Sequence, residues 1–80
     1  MTENEIRTKL NEIFRDIFDD QTLEIAPDMT AADVEEWDSL SHISLIVAVE
    51  KAFGVRFTTG EVQALKNVGD FLALIGSKVR

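Results

Sequence analysis

Apolar residues recur at steps of three and four along most of this chain, and nowhere do they alternate convincingly with period two. That contrast constrains the fold more than any other feature. A three-to-four step lines one face of a helix, whereas alternation lines one face of a strand. Ile6, Leu10, Ile13, Phe14 and Ile17 form one such stripe, and their spacing predicts an amphipathic helix over residues 3–18. Thr2 or Asn4 suits its N-cap, and Arg7, Glu12, Arg15 and Asp16 make its wet face. A second helix is expected over 38–53, with Asp38 as N-cap and Leu40, Ile43, Val47 and Phe53 in helical register. Leu45, Ile46 and Val49 widen its apolar face. A helix this apolar is expected to be the central and most buried one. Gly54 can end it by supplying a left-handed residue.

Two shorter stretches follow. Val55-Arg56-Phe57 reads as extended, and Thr58 or Thr59 opens a brief helix through about Leu65, with Val62 and Leu65 one turn apart. The last helix is expected from about Val68 to Lys78, capped by Asn67 and carrying Phe71, Leu72, Ile75 and Val79 as its buried stripe. Asp70 in its first turn and Lys78 and Arg80 near its end complement the helix dipole. Residues 19–36 hold no sustained period; Asp19-Asp20 ends the first helix and Pro27 forbids a helix around it. Leu23, Ile25 and Met29 are spaced apolar anchors that predict a packed loop, and loops this long in compact domains are often functional. The expected fold class is therefore all-α: a small four-helix bundle of three longer helices and one short one. It has a long loop between the first and second helices and forms a single domain over residues 1–80.

Composition narrows the function. Eighty residues allow one small core and no easily built deep cleft. There are no cysteines and one histidine, which argues against a disulfide framework and a thiolate or histidine zinc site. The formal net charge of -7 disfavours nucleic-acid binding, which needs phosphate neutralisation by Lys and Arg, and favours partners with basic surfaces. No apolar run is long enough to span a membrane. The start, Met1-Thr2-Glu3-Asn4-Glu5, lacks the basic and apolar regions of a signal peptide. A cytoplasmic, free-standing monomer is the expectation.

Asp38-Ser39-Leu40 lies where the long loop gives way to the second helix. Unpaired amides and the helix dipole favour negative charge there, so a serine hydroxyl at this point suits a covalent phosphate. Asp and Ser are also ordinary N-caps, so the tripeptide alone leaves both readings open. His42, one turn beyond Ser39, reads either as an exposed helix histidine or as a contact to such a phosphate that senses pH. A catalytic His-Ser pair lacks any motif for its third member. Trp37 reads equally as a partner-facing anchor or as a lid folded over the bundle. The acids between Asp28 and Asp38 lack the spacing of a calcium loop. Val47, Phe57 and Val62 edge either a partner surface or a cavity in the bundle, with core packing the simpler reading.

Taken together, the length, acidity, helix order, long first loop and serine at the second helix start resemble the acyl carrier protein family. The likeness is most specific at Glu36-Trp37-Asp38-Ser39-Leu40, at Glu50-Lys51-Ala52-Phe53-Gly54-Val55 and at Val68-Gly69-Asp70-Phe71. The resemblance implies that Ser39 receives 4′-phosphopantetheine from coenzyme A through a phosphodiester, and that the arm's thiol carries an acyl group as a thioester. It implies no catalytic residue and no resident metal. The implied partners are a phosphopantetheinyl transferase and acyl-loading and acyl-transferring enzymes with basic surfaces, meeting Glu35, Glu36, Asp38 and Leu40. The fatty-acid type usually has an acid directly after Asp-Ser-Leu; here Ser41-His42-Ile43-Ser44-Leu45 follows, and the acids precede the serine at Asp33, Glu35, Glu36 and Asp38. A carrier for an unusual acyl chain or a polyketide-type carrier fits that pattern at least as well. An unmodified acidic interaction module and an aminoacyl or peptidyl carrier are the alternatives.

Overall fold

The computed structural model describes residues 2–34 and 36–79. It contains four helices in the expected order: α1 (Glu3–Ile17), α2 (Ser39–Phe53), α3 (Thr59–Ala64) and α4 (Val68–Val79). Glu35, expected to meet partner enzymes, and the basic Arg80 lie outside the described residues.

Local chemistry sets each boundary. Thr2 caps α1: its hydroxyl accepts the Glu5 amide while the Glu5 carboxylate accepts the Thr2 amide, a reciprocal box. That arrangement holds the exposed Glu5 carboxyl below the usual range, chiefly through the Thr2 amide. Asp19 ends α1 with φ 50°, the left-handed conformation that aspartate tolerates better than most side chains. The Asp20 amide donates back to Arg15 O at 3.0 Å and the Asp19 amide to Asp16 O at 3.4 Å, the paired bonds of a Schellman ending. Gly54 ends α2 with φ 65°, as its position predicts. Thr58 and Glu61 form a second capping box on α3.

α1 and α4 bury the stripes read from the sequence. Ile6, Leu10 and Phe14 meet Val68, Phe71 and Ile75, each almost fully removed from solvent. Burying one such side chain contributes about 1.5–3 kcal/mol. Phe14 lies edge-on to both Trp37 (5.4 Å between ring centroids) and Phe71 (6.1 Å), so the bundle centre is aromatic.

α2 departs from its expected role as the most buried helix. Only Leu45, Ile46 and Val49 are buried, while Leu40, Ile43 and Val47 are 81%, 56% and 43% exposed. Apolar residues lie around too much of α2 for its neighbours to cover them all. The core takes the side carrying Leu45 and Val49 and leaves the 40–43–47 line in solvent. Core packing for Val47 is thereby corrected, whereas Phe57 and Val62 do pack against the core.

The long loop is packed, as its anchors predict. Ile25 is buried, with Leu23 and Met29 against the core. Arg7 and Arg15, expected on the wet face of α1, reach across to donate to the carbonyls of Ile25 (3.0 Å) and Leu23 (2.7 Å), and the Ile25 amide donates to Asn11 Oδ1 (2.8 Å). At the other end the amides of Val68 and Gly69 donate to Met29 O (2.9 Å) and Pro27 O (2.7 Å). The loop is thus tied to both α1 and the start of α4, and these ties deliver its last residues to a fixed point on α2.

Candidate functional site

Ser39 is the first residue of α2 and is exposed. Asp38 is the N-cap in extended conformation, and its carboxylate accepts the amides of Leu40 (3.1 Å) and Ser41 (3.0 Å). The Asp38 amide in turn donates to Ser41 Oγ at 2.8 Å, closing the box. Hydrogen bonds from the Ser41 amide and then the Leu40 amide hold the Asp38 carboxyl below the usual aspartate range. The acid that precedes the serine is therefore ionised, fixed in direction and wet.

The serines of this turn differ in what their hydroxyls do. Ser41 Oγ donates to Glu36 O at 2.7 Å, and Ser44 Oγ donates to Leu40 O at 3.2 Å. Ser39 Oγ has no hydrogen-bond partner among the described residues and points from an exposed position at the positive end of α2. Of these three hydroxyls, Ser41 closes the cap, Ser44 bonds the preceding turn of the helix, and Ser39 makes no hydrogen bond among the described residues.

Beneath Ser39 the chain is anchored by Trp37, which is 6% exposed. The indole packs against Phe14, Phe18 and Phe71, so the lid reading of Trp37 holds and the partner-facing reading does not. Its Nε1–H donates to His42 Nδ1 at 3.2 Å. His42 is half-buried rather than a freely exposed helix histidine, and its Nε2 lies 3.3 Å from Val62 O on α3.

Charge and apolar surface are divided at the serine. Before it come the exposed acids Asp33, Glu36 and Asp38. After it comes the line Leu40, Ile43 and Val47, and α2 carries no acid until Glu50, whose carboxylate accepts the Phe57 amide at 2.8 Å. The sequence reading names Leu40, places Ile43 with it on the apolar face of a helix expected to be buried, and takes Val47 as an edge of a partner surface or cavity with core packing the simpler reading. The signal was a 40–43–47 register distinct from the 45–49 register, two apolar faces on one helix. Among the described residues no group of three or more His, Asp or Glu is placed to hold a metal ion.

Comparison with known proteins accords with this geometry. The family model for the phosphopantetheine attachment site matches residues 8–75. The acyl carrier protein of Acidothermus cellulolyticus is 36% identical over 77 residues, covering 96% of this chain and 92% of that one. The meromycolate extension acyl carrier protein of Mycolicibacterium smegmatis is 31% identical over 74 residues, covering 92% of this chain and 75% of that one. The solution structure of holo acyl carrier protein from Geobacter metallireducens superposes with a TM-score of 0.86 at 42% identity, over 91% of this chain and 84% of that chain. The chain belongs to the acyl carrier protein family. Its function is carriage of acyl groups rather than catalysis, and its prosthetic group is phosphopantetheine.

Proposed function

We propose that Ser39 is the residue that bears the 4′-phosphopantetheine arm and that partner enzymes read the surface on either side of it. The observation that carries the assignment is the unengaged, exposed hydroxyl of Ser39 beside the engaged hydroxyls of Ser41 and Ser44. Bound there, the arm supplies the thiol that this cysteine-free chain does not have. Attachment joins Ser39 Oγ to the pantetheine-side phosphorus of coenzyme A, breaks the pyrophosphate bond and releases the nucleotide part. The Mg²⁺ of that step belongs to the transferase. The chain's own part is positional: Asp38 holds the first turn, Trp37 anchors the loop end, and the serine stands clear of both.

Partners of this reading are a phosphopantetheinyl transferase and enzymes that load and remove acyl groups. Glu36 and Asp38, with Glu35 on grounds of its charge, would meet basic residues, and Leu40, extended by Ile43 and Val47, would meet an apolar surface. The cargo is an intermediate of fatty-acid, polyketide or specialised lipid synthesis. The break between acids and apolar stripe at Ser39 favours enzymes with a basic rim beside an apolar groove. The same reading assigns one carrier domain, monomeric and cytoplasmic; no helix among the described residues is long and apolar enough to cross a membrane.

The test is the intact mass of the protein after incubation with coenzyme A, Mg²⁺ and a broad-specificity phosphopantetheinyl transferase, with Ser39→Ala in parallel. The parent should gain one phosphopantetheine and the folded variant none. A variant that still takes the arm refutes the site.

A further inference from the structure

We propose that His42 is a positioning residue, a clamp between the segment that delivers Ser39 and helix α3, and that the clamp closes only while its imidazole is neutral with the proton on Nε2. The indole N–H of Trp37 is a donor and nothing else. At 3.2 Å from His42 Nδ1, it requires that nitrogen to be the acceptor. The one proton of a neutral imidazole then sits on Nε2, which donates to the Val62 carbonyl at 3.3 Å. One ring therefore joins the loop end, α2 and α3. The ring lies nearly coplanar with the indole it bonds (21° between planes) and is further fixed by an edge-to-face contact with Phe71 (5.8 Å between centroids, 71°).

The bond to Val62 weighs heavily because α3 is otherwise lightly held. Its 6 residues include no buried one. Among the described residues its other polar tie to the bundle is the pair between Lys78 and Glu61 at 3.1 Å. On the loop side, Trp37 is buried between the exposed Glu36 and Asp38, so what holds the indole bears on where Ser39 stands.

Protonation changes the two sides of the clamp differently. With Nδ1 protonated, two donors face each other where a donor met an acceptor, and the indole N–H becomes a buried donor without a partner. Nε2–H still donates to Val62, so the opening falls on the Trp37 side. The charged groups on the surrounding elements are otherwise occupied. Asp38 accepts the Leu40 and Ser41 amides, Glu61 accepts from Thr58 and Lys78, and Asp70, beside Phe71 on α4, accepts the Lys66 amide. Glu36, on the other side of Trp37, is exposed and lends its carbonyl to Ser41. None of these carboxylates is hydrogen-bonded to the ring among the described residues, so no direct partner offsets the lost bond.

The functional weight of the clamp rests on the Ser39 reading, but its existence does not, and the test uses the unmodified protein. ¹H–¹⁵N spectra would be recorded from mildly alkaline to mildly acidic pH, following the indole N–H of the only tryptophan and the His42 ring nitrogens. At the alkaline end the ring nitrogens should show the proton on Nε2. On acidification the indole resonance should move together with the imidazole, and amide protection factors over residues 37–41 should fall by about five-fold or more, the loss of one ordinary hydrogen bond. His42→Gln keeps an acceptor and a donor but does not titrate, and its indole resonance and protection should stay flat. His42→Phe, which keeps the ring and neither bond, should show the low protection at every pH. A proton on Nδ1, an indole that ignores the imidazole, or the same pH response in His42→Gln would each overturn the clamp. A sound clamp in a protein that never takes the arm would instead count against Ser39 alone.

Discussion

Replacing Gly69 by alanine should destabilise this protein, although the same change at an ordinary helical glycine stabilises. Gly69 is the second residue of α4, and a Cβ added there would lie 2.8 Å from the Pro27 carbonyl oxygen and 3.2 Å from Asn67 Oδ1. The first neighbour is backbone, and it already accepts the Gly69 amide at 2.7 Å. The loop can retreat only by lengthening that bond and the adjacent one from the Val68 amide to Met29 O (2.9 Å). The Asn67 side chain can retreat only by releasing the Asp70 amide (2.8 Å). Each of these bonds contributes about 0.5–1.5 kcal/mol net. Alanine's better helix propensity returns at most about 1 kcal/mol, so the balance is a loss of about 1–2 kcal/mol. For a chain of this size each kcal/mol corresponds to about 4–8 °C in Tm. Urea and thermal unfolding followed by Trp37 fluorescence and helical circular dichroism would read it. Gly76→Ala is the control: an added Cβ there meets nothing within 4 Å, and the variant should gain about 0.5–1 kcal/mol. A Gly69→Ala protein as stable as the parent, or more so, refutes the claim that the loop docks on α4 through that close approach.

Other outcomes follow from the cap, the stripe and the core. Because hydrogen bonds to the Asp38 carboxylate hold its pKa below the ordinary value, its contribution is complete above the ordinary aspartate range and is lost as pH falls through the lowered one. Asp38→Asn caps without titrating, so the stability difference between parent and variant should narrow or reverse in urea titrations taken into that acid window. Leu40→Ser with Ile43→Ser should leave stability within about 0.5 kcal/mol per site but raise KM for acyl-transferring partners several-fold. The increase should persist at high salt, whereas the effect of Glu36→Gln should fade under it. Phe14→Ala removes a fully buried ring and should cost about 3–5 kcal/mol, much of the ~5–15 kcal/mol that holds a small domain together; a shallow loss in urea midpoint would show that the aromatic centre is not the core.

The helices were legible because period, caps and stops agreed: Thr2, Asp38, Asn67 and Gly54 all do what their types suggest. The start of α2 was legible for the same reason, since Asp38-Ser39 is a capping signal and Asp38 does cap the helix. Other features arise from tertiary contacts that no local pattern encodes. The exposure of Ile43 and Val47 follows from which side of α2 the core takes, and a doubly apolar helix does not reveal that in advance. Trp37 and His42 are five residues apart, a spacing with no regular meaning across a loop-to-helix junction, and their bond depends on how the loop is tied to α1 and α4. Arg7 and Arg15 look like surface charges until the loop carbonyls they hold are in place.

The account turns on which hydroxyl bears the arm, and peptide mapping of the holo protein by fragment-ion mass spectrometry tests it most directly. Ser39, Ser41 and Ser44 fall in one stretch of chain, so fragment ions that separate them decide among them. The expected result is the whole phosphopantetheine increment on Ser39, with Ser41 and Ser44 unmodified. An increment on Ser41 would contradict the account, because that hydroxyl is committed to the α2 cap, and so would an increment anywhere else in the chain.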